Sequence, residues 1–188
     1  MRIILLGTLL LASTCCFAAS QSSCKDGNPS PDQSWNPPSA AVTPNLRHLY
    51  DLGSALESAQ SVEDFKKMEV LAKEYLLAAE GYRCNWNYGN AVHDANAALG
   101  LSSLASGNKA QAVVYLLKAA KSPGSPQLKS FGPNMLLANE LIALGEREAV
   151  IDYLRGVQLF WKMDDGEVAK WIEELKAGKT PDFSMQLI

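Results

Sequence analysis

Two histidines, His48 and His93, and two cysteines of the polar chain, Cys24 and Cys84, are the residues here whose chemistry reaches beyond packing. His93 stands beside Asp94 and between Asn90 and Asn96, a setting in which an imidazole could serve as a general base or a ligand. A lone histidine with no second His or Cys at ligand spacing does not make a metal site, so no metal and no cofactor is expected. An aspartate one residue further on projects from a different face of a helix, so Asp94 is not expected to orient the ring. Serine nucleophile elbows, phosphate-cradling glycine loops and His-Glu-x-x-His strings are absent from the sequence. Asp164-Asp165 reads as a complement to a helix dipole, and Glu173-Glu174 as a solvated face. No catalytic residue is assigned.

The elements that must position these groups are helical. The chain has 188 residues, 47% of them hydrophobic and 20% charged, enough apolar content for a buried core. Its 24 alanines and 26 leucines, against 8% aromatics, favour helices over β-branched sheets. With 17 Lys+Arg against 20 Asp+Glu the formal net charge is −3, and no basic stripe is present, so nucleic acid is not an expected partner.

Residues 1–19 have the layout of a secretory signal peptide: Arg2, the apolar run Ile3–Leu11, then small residues ending at Ala18, Ala19 and Ser20. The apolar run is too short for a permanent anchor, and no later stretch reaches the ~20 apolar residues of a transmembrane helix. A secreted or periplasmic location is expected. A minor alternative is a lipoprotein anchored at Cys15 or Cys16, which close the apolar run. Of four cysteines two then belong to the leader, and Cys24 and Cys84 are expected to form one disulfide in an oxidising compartment. That bridge closes a loop of about 60 residues and is worth a few kcal/mol in the chain-entropy account.

Residues 20–44 form a Pro/Ser-rich arm holding Pro29, Pro31, Pro37, Pro38 and Pro44, with Trp35 its only large apolar side chain. From Asn45 the apolar residues recur at three- and four-residue steps, so 45–188 reads as one helical domain. Leu46–Leu56 makes a first helix, and a second, capped at Ser61, carries Phe65, Met68, Ala72, Tyr75, Leu76 and Ala79. An elbow at Cys84–Gly89 leads to a small-residue helix with Ala91, Ala95, Ala98, Ser102 and Ala105. Lys109–Lys121 follows, and the proline-glycine run 122–132 reads as a loop. Pro133 is placed in the first turn of a helix reaching Leu144, Glu146–Trp161 is its partner, and Asp165–Lys176 comes last.

The helix pairs repeat. Gly107, Ala112, Leu116 and Ala119 recur 38 residues later as Gly145, Val150, Leu154 and Val157. With Leu99-Gly100 before the turn glycine and small or apolar residues after it, residues 90–161 resemble the tetratricopeptide repeat, and 45–81 resembles a further, weaker pair. Asn96, Ser103 and Leu116 stand where that family favours Trp, Tyr and Phe. Strings such as Asn87-Tyr88-Gly89-Asn90-Ala91, Ser130-Phe131-Gly132-Pro133-Asn134-Met135 and Phe160-Trp161-Lys162-Met163 also resemble a group of uncharacterised secreted bacterial proteins of this type. That group is expected to carry a second histidine beside His93, where this chain has Asp94. The resemblance implies an all-α fold: antiparallel helix pairs stacked as a short right-handed superhelix, with the Pro-rich arm before it and a C-terminal capping helix.

It also implies a groove lined by the first helix of each pair, here Asp94, Ala97, Leu101 and Leu104, then Met135, Asn139 and Ile142. Part apolar and part polar, such a groove suits a protein or peptide partner and a non-catalytic scaffolding role. The alternative is a small enzyme or ligand-binding protein with its pocket at Trp86, Tyr88, Asn90 and His93.

Overall fold

Backbone chemistry at the helix ends explains most of the architecture. A computed structural model describes residues 44–187. The leader 1–19, Cys15, Cys16, Cys24 and Trp35 lie outside the described residues. Helix α1 (Pro44–Ser61) opens on Pro44, read from composition as the end of the arm; proline's fixed φ and missing N–H suit a first helical turn. Ser61 does not cap the second helix. It is the last residue of α1 and its hydroxyl donates to the Ser58 carbonyl. The cap of α2 (Phe65–Ala79) is Asp64, whose carboxylate accepts from the Lys67 amide at 3.1 Å.

The chain continues as α3 (Tyr88–Ala105), α4 (Lys109–Ala119), α5 (Pro126–Phe131), α6 (Leu136–Ala143), α7 (Arg147–Phe160) and α8 (Glu167–Lys176), with 3₁₀ turns at Glu80–Tyr82 and Ser184–Gln186. No strand occurs among the described residues, so the expected all-α class holds. Two local expectations do not. The run 122–132 contains α5, started by Pro126 and capped by the Ser125 hydroxyl, which accepts from the Leu128 amide at 3.0 Å. Pro133 precedes α6 rather than opening it. Met135 is the N-cap residue; its amide donates to the Gln186 carbonyl at 2.8 Å, and the Asn134 side chain accepts from the Leu136 amide at 2.7 Å.

The 38-residue repeat is visible in the hydrogen bonds. The Gly107 amide donates to Leu104 and the Asn108 amide to Ser103; 38 residues on, Gly145 donates to Ile142 and Glu146 to Leu141. Each turn places its glycine in the left-handed region, φ +77° and +86°, the paired-bond geometry of a Schellman stop. The same pair of bonds ends α1, from Glu63 to Gln60 and Asp64 to Ala59. There a glutamate, at φ +53°, takes the position a glycine fills elsewhere. The α1–α2 pair thus shares the turn of the two later pairs while lacking its sequence signature.

Adjacent helices pack as pairs, α1 on α2 and α3 on α4, with α2 against α3, α3 against α6, α4 against α7 and α8 on α7. Burial follows the repeat: Ala112, Leu116 and Ala119 are in the core, as are Val150, Leu154 and Val157. Filling such positions supplies about 1.5–3 kcal/mol per buried aliphatic side chain. Small residues let helices approach. A Cβ on Gly100 would stand 2.2 Å from a Leu137 methyl, which fixes how closely α6 rides on α3. At the C-terminal end Trp161 meets Trp171 at a tilt and Trp171 meets Phe183 edge-on, with centroids 5.9 and 4.8 Å apart.

Candidate functional site

Helix α3 is the central element, and its small-residue sequence decides what it exposes. With Ala91, Ala95 and Ala98 turned into the core, the adjoining edge runs Asp94, Ala97, Leu101, Leu104. This edge floors a groove in two continuous sections. The first encloses about 620 Å³ between Leu56, Glu57, Gln60 and Ser61 of α1, Asp94, Ala97 and Leu101 of α3, and Asn134, Leu136 and Leu137. The second, about 420 Å³, continues between Glu63, Phe65 and Met68 on one side and Leu136, Glu140 and Leu144 on the other. Gln60, Leu101 and Leu136 border both sections.

Four of the seven residues named from sequence therefore line the groove: Asp94, Ala97, Leu101 and Leu104. The other three do not. Met135 and Ile142 are buried in the core, and Asn139 is half-buried off the groove wall. The buried side of α6 is Leu137, Ala138, Leu141 and Ile142, so the edge left to the groove is Leu136, Glu140 and Leu144, with Leu137 at its base. Sequence reasoning also missed the α1 wall. The polar residues Glu57, Gln60 and Ser61, which alternate with the buried Leu56 and Ala59, were its signal.

Beneath the groove lies the one buried histidine. His93 is 0% exposed. Its Nδ1 lies 2.8 Å from Asp94 Oδ1, and its Nε2 lies 2.9 Å from the Tyr153 hydroxyl on α7. A carboxylate only accepts, so Nδ1–H donates to Asp94; in the neutral ring Nε2 then accepts from the Tyr153 O–H. The expectation that Asp94 cannot orient His93 is thus corrected. Their backbone positions diverge, but the aspartate side chain folds back over its neighbour's ring edge while remaining 42% exposed to the groove. The ring is held further by Phe160 in an edge-on contact at 6.2 Å. Burial pushes the hydroxyls of Tyr153 and Tyr75 well above the ordinary tyrosine range, and the Asp94 charge adds to both shifts. Both hydroxyls stay protonated, Tyr153 donating to His93 Nε2 and Tyr75 accepting from the Asn87 amide. Chemically, the histidine faces the core and Asp94 faces the groove, so the group offered to a ligand is a carboxylate whose orientation is fixed from below.

The alternative pocket resolves into a polar seam. Asn85 donates to the Tyr50 hydroxyl at 3.3 Å, Asn87 to the Tyr75 hydroxyl at 2.9 Å, and Asn90 to Asn87 at 2.8 Å and Gln127 at 3.2 Å. The Asn90 carbonyl oxygen accepts from Ser125. These side chains satisfy one another and tie the elbow to α5, as buried amides must. Trp86 lies on Tyr50 at 5.7 Å with its indole N–H buried and unpartnered among the described residues. Tyr88 is half-buried, packed against the core. Neither they nor Asn90 and His93 line the groove. Cys84 is exposed on the same elbow, and Cys24, its expected partner, lies outside the described residues. His48 is exposed and bonds Glu74 at 3.0 Å, a surface contact. No cluster of His, Cys, Asp and Glu among the described residues could hold a metal ion, and no described helix is long and apolar enough to cross a membrane.

Comparison of the chain with family models, with curated proteins and with solved structures gives no match.

Proposed function

We propose that this protein is a non-catalytic interaction module that receives a peptide segment of a partner protein in the groove between α1, α3 and α6. The observation that carries this reading is the groove itself: an apolar floor of Ala97, Leu101 and Leu104 across two adjoining sections, walled by two other helices and lined in the first section by Asp94 on its His93–Tyr153 support. Helix-lined apolar grooves with a few fixed polar groups suit recognition of short segments. The tetratricopeptide-like pairing supports the same role, with helix pairs serving as a frame for one concave face. A secreted or periplasmic setting is part of the proposal and rests on the layout of residues 1–19. A catalytic role for His93 is disfavoured by its burial, since a general base must come within hydrogen-bond reach of its substrate.

The test is a peptide-display selection against the purified protein, followed by affinity measurements on blocked variants. Ala97→Trp fills the floor, and Ser61→Trp, at an exposed position of the rim, fills it from α1. Selected peptides should lose at least about tenfold in affinity on either variant, because each removes the space for an anchoring side chain. Thermal midpoints establish that the variants are folded. Peptides that bind Ser61→Trp and Ala97→Trp as tightly as wild type would overturn the groove reading.

A further inference from the structure

Several carboxylates pair locally on their own helix: Glu69 with Lys73, Glu80 with Arg83, Asp152 with Arg155, Glu167 with Lys170, Glu173 with Lys176. Such pairs at three- and four-residue spacing are the ordinary way a helix surface neutralises itself. Others outside the groove, such as Asp51 and Glu148, form no ion pair among the described residues, but they stand singly on the surface. The groove gathers four carboxylates along one lined surface. Glu57 and Asp94 line its first section, and Glu63 and Glu140 its second. Glu57, Glu63 and Glu140 have no cationic partner among the described residues, and Asp94 has only the buried imidazole. The described lining of both sections includes no Lys or Arg. Beside Leu144, Lys109 reaches the Leu144 carbonyl at 3.4 Å and is itself held by Glu146 at 2.7 Å.

From this charge pattern we infer that the groove's occupant is a basic amphipathic helical segment, its aliphatic residues on the floor and its Lys or Arg side chains toward both acidic walls. This deepens the groove reading and rests on it. From Asp94 to Leu104 the floor spans ten residues of α3, about 15 Å at 1.5 Å per residue, which matches about three turns of a docked helix. Leu56, Phe65, Leu101 and Leu136 supply apolar contact. Glu57 on one wall and Glu140 on the other stand where the flanks of such a helix carry its polar residues. Asp94 differs from these glutamates in being fixed: the imidazole N–H bond holds its carboxylate in one rotamer, so it gives the occupant a defined anchor point.

The experiment uses fluorescence anisotropy with three labelled twelve-residue probes. One carries leucines on a single helical face and lysines elsewhere; the second has every lysine replaced by glutamate; the third keeps the composition but scatters the leucines. The proposal expects the lysine probe to bind best, with affinity falling as salt rises, since charge attraction at an exposed surface is screened. It expects about a tenfold loss on the double variant Glu57→Lys/Glu140→Lys, whose two sites are solvent-exposed and tolerate the exchange. It also expects the scattered probe to be weaker, because no continuous apolar face remains. A glutamate probe that binds as well, and is blocked by Ser61→Trp, overturns the charge inference while leaving the groove in place. A lysine probe that binds Ser61→Trp and wild type equally overturns both, because its attraction then lies elsewhere on the surface.

Discussion

Replacing Gly89 by alanine lowers the unfolding free energy by about 3 kcal/mol, the upper range for an overpacked core, and the melting temperature by roughly 10 °C. Gly89 sits in the first turn of α3, and an added Cβ would stand 1.8 Å from the Gly124 carbonyl oxygen and 2.3 Å from its carbon. Both are backbone atoms, so no rotamer change relieves the overlap. Nor can the opposing turn retreat. Gly124 holds φ +82°, and Phe160 Cβ lies 2.8 Å from the position its own Cβ would take, so the turn is clamped between α3 and α7. A shift large enough for alanine also breaks the bond from the Ser122 hydroxyl to the Gly89 carbonyl, 2.7 Å and buried. Gly81→Ala is the control. Nothing lies within 4 Å of its Cβ, and its cost should fall within about 0.5 kcal/mol. Urea denaturation of the two variants reads the difference; equal stability would mean that α3 approaches the turn at Gly124 more loosely than described.

His93→Ala is the second large effect, about 3 kcal/mol, and its cause is composite. The substitution empties a fully buried site walled by Tyr153 and Phe160, and it leaves the Tyr153 hydroxyl buried without its partner. Tyr153→Phe alone costs about 1–2 kcal/mol by orphaning Nε2. The two losses overlap. In the double variant the stranded hydroxyl and the stranded nitrogen are both gone, so the combined cost should fall short of the sum by about 1 kcal/mol in a double-mutant cycle. Strict additivity would indicate that the His93–Tyr153 bond contributes nothing. His93→Ala also frees the Asp94 carboxylate from its single rotamer, so the first section of the groove should weaken toward a peptide beyond the effect of stability alone.

Much of this architecture was legible because periodicity and punctuation carry it. Gly107 and Gly145, 38 residues apart, marked two turns that prove identical in their hydrogen bonds, and Asp94, Ala97, Leu101 and Leu104 followed as one helix edge. The failures have physical reasons of the same kind. The α1–α2 turn was faint because Glu63 takes the left-handed conformation that glycine normally signals. Pro133 misled because proline is at home both inside a first turn and before a helix. Here it stands before the helix: the Asn134 side chain accepts from the Leu136 amide at the start of α6, and the Met135 amide donates to the distant Gln186 carbonyl. Asp94 was set aside as a partner for His93 on spacing alone; spacing fixes where a Cβ points but not where a carboxylate two bonds further on can fold. The alternative pocket at Trp86, Tyr88, Asn90 and His93 was named on residue types alone, which do not show what those side chains bond to. Only the fold brings Tyr50, Tyr75 and Ser125 to Asn85, Asn87 and Asn90.

The most direct test of the groove as the binding face is a methyl-labelled NMR titration with a peptide obtained by selection. Leucine methyls lining the groove, Leu56, Leu101, Leu104 and Leu136, should shift together and saturate at one stoichiometry. The exposed methyls of Leu77, Val114 and Leu159, which do not line it, should stay in place. Shifts confined to that outer set, with the four groove leucines unmoved at saturation, would contradict the account.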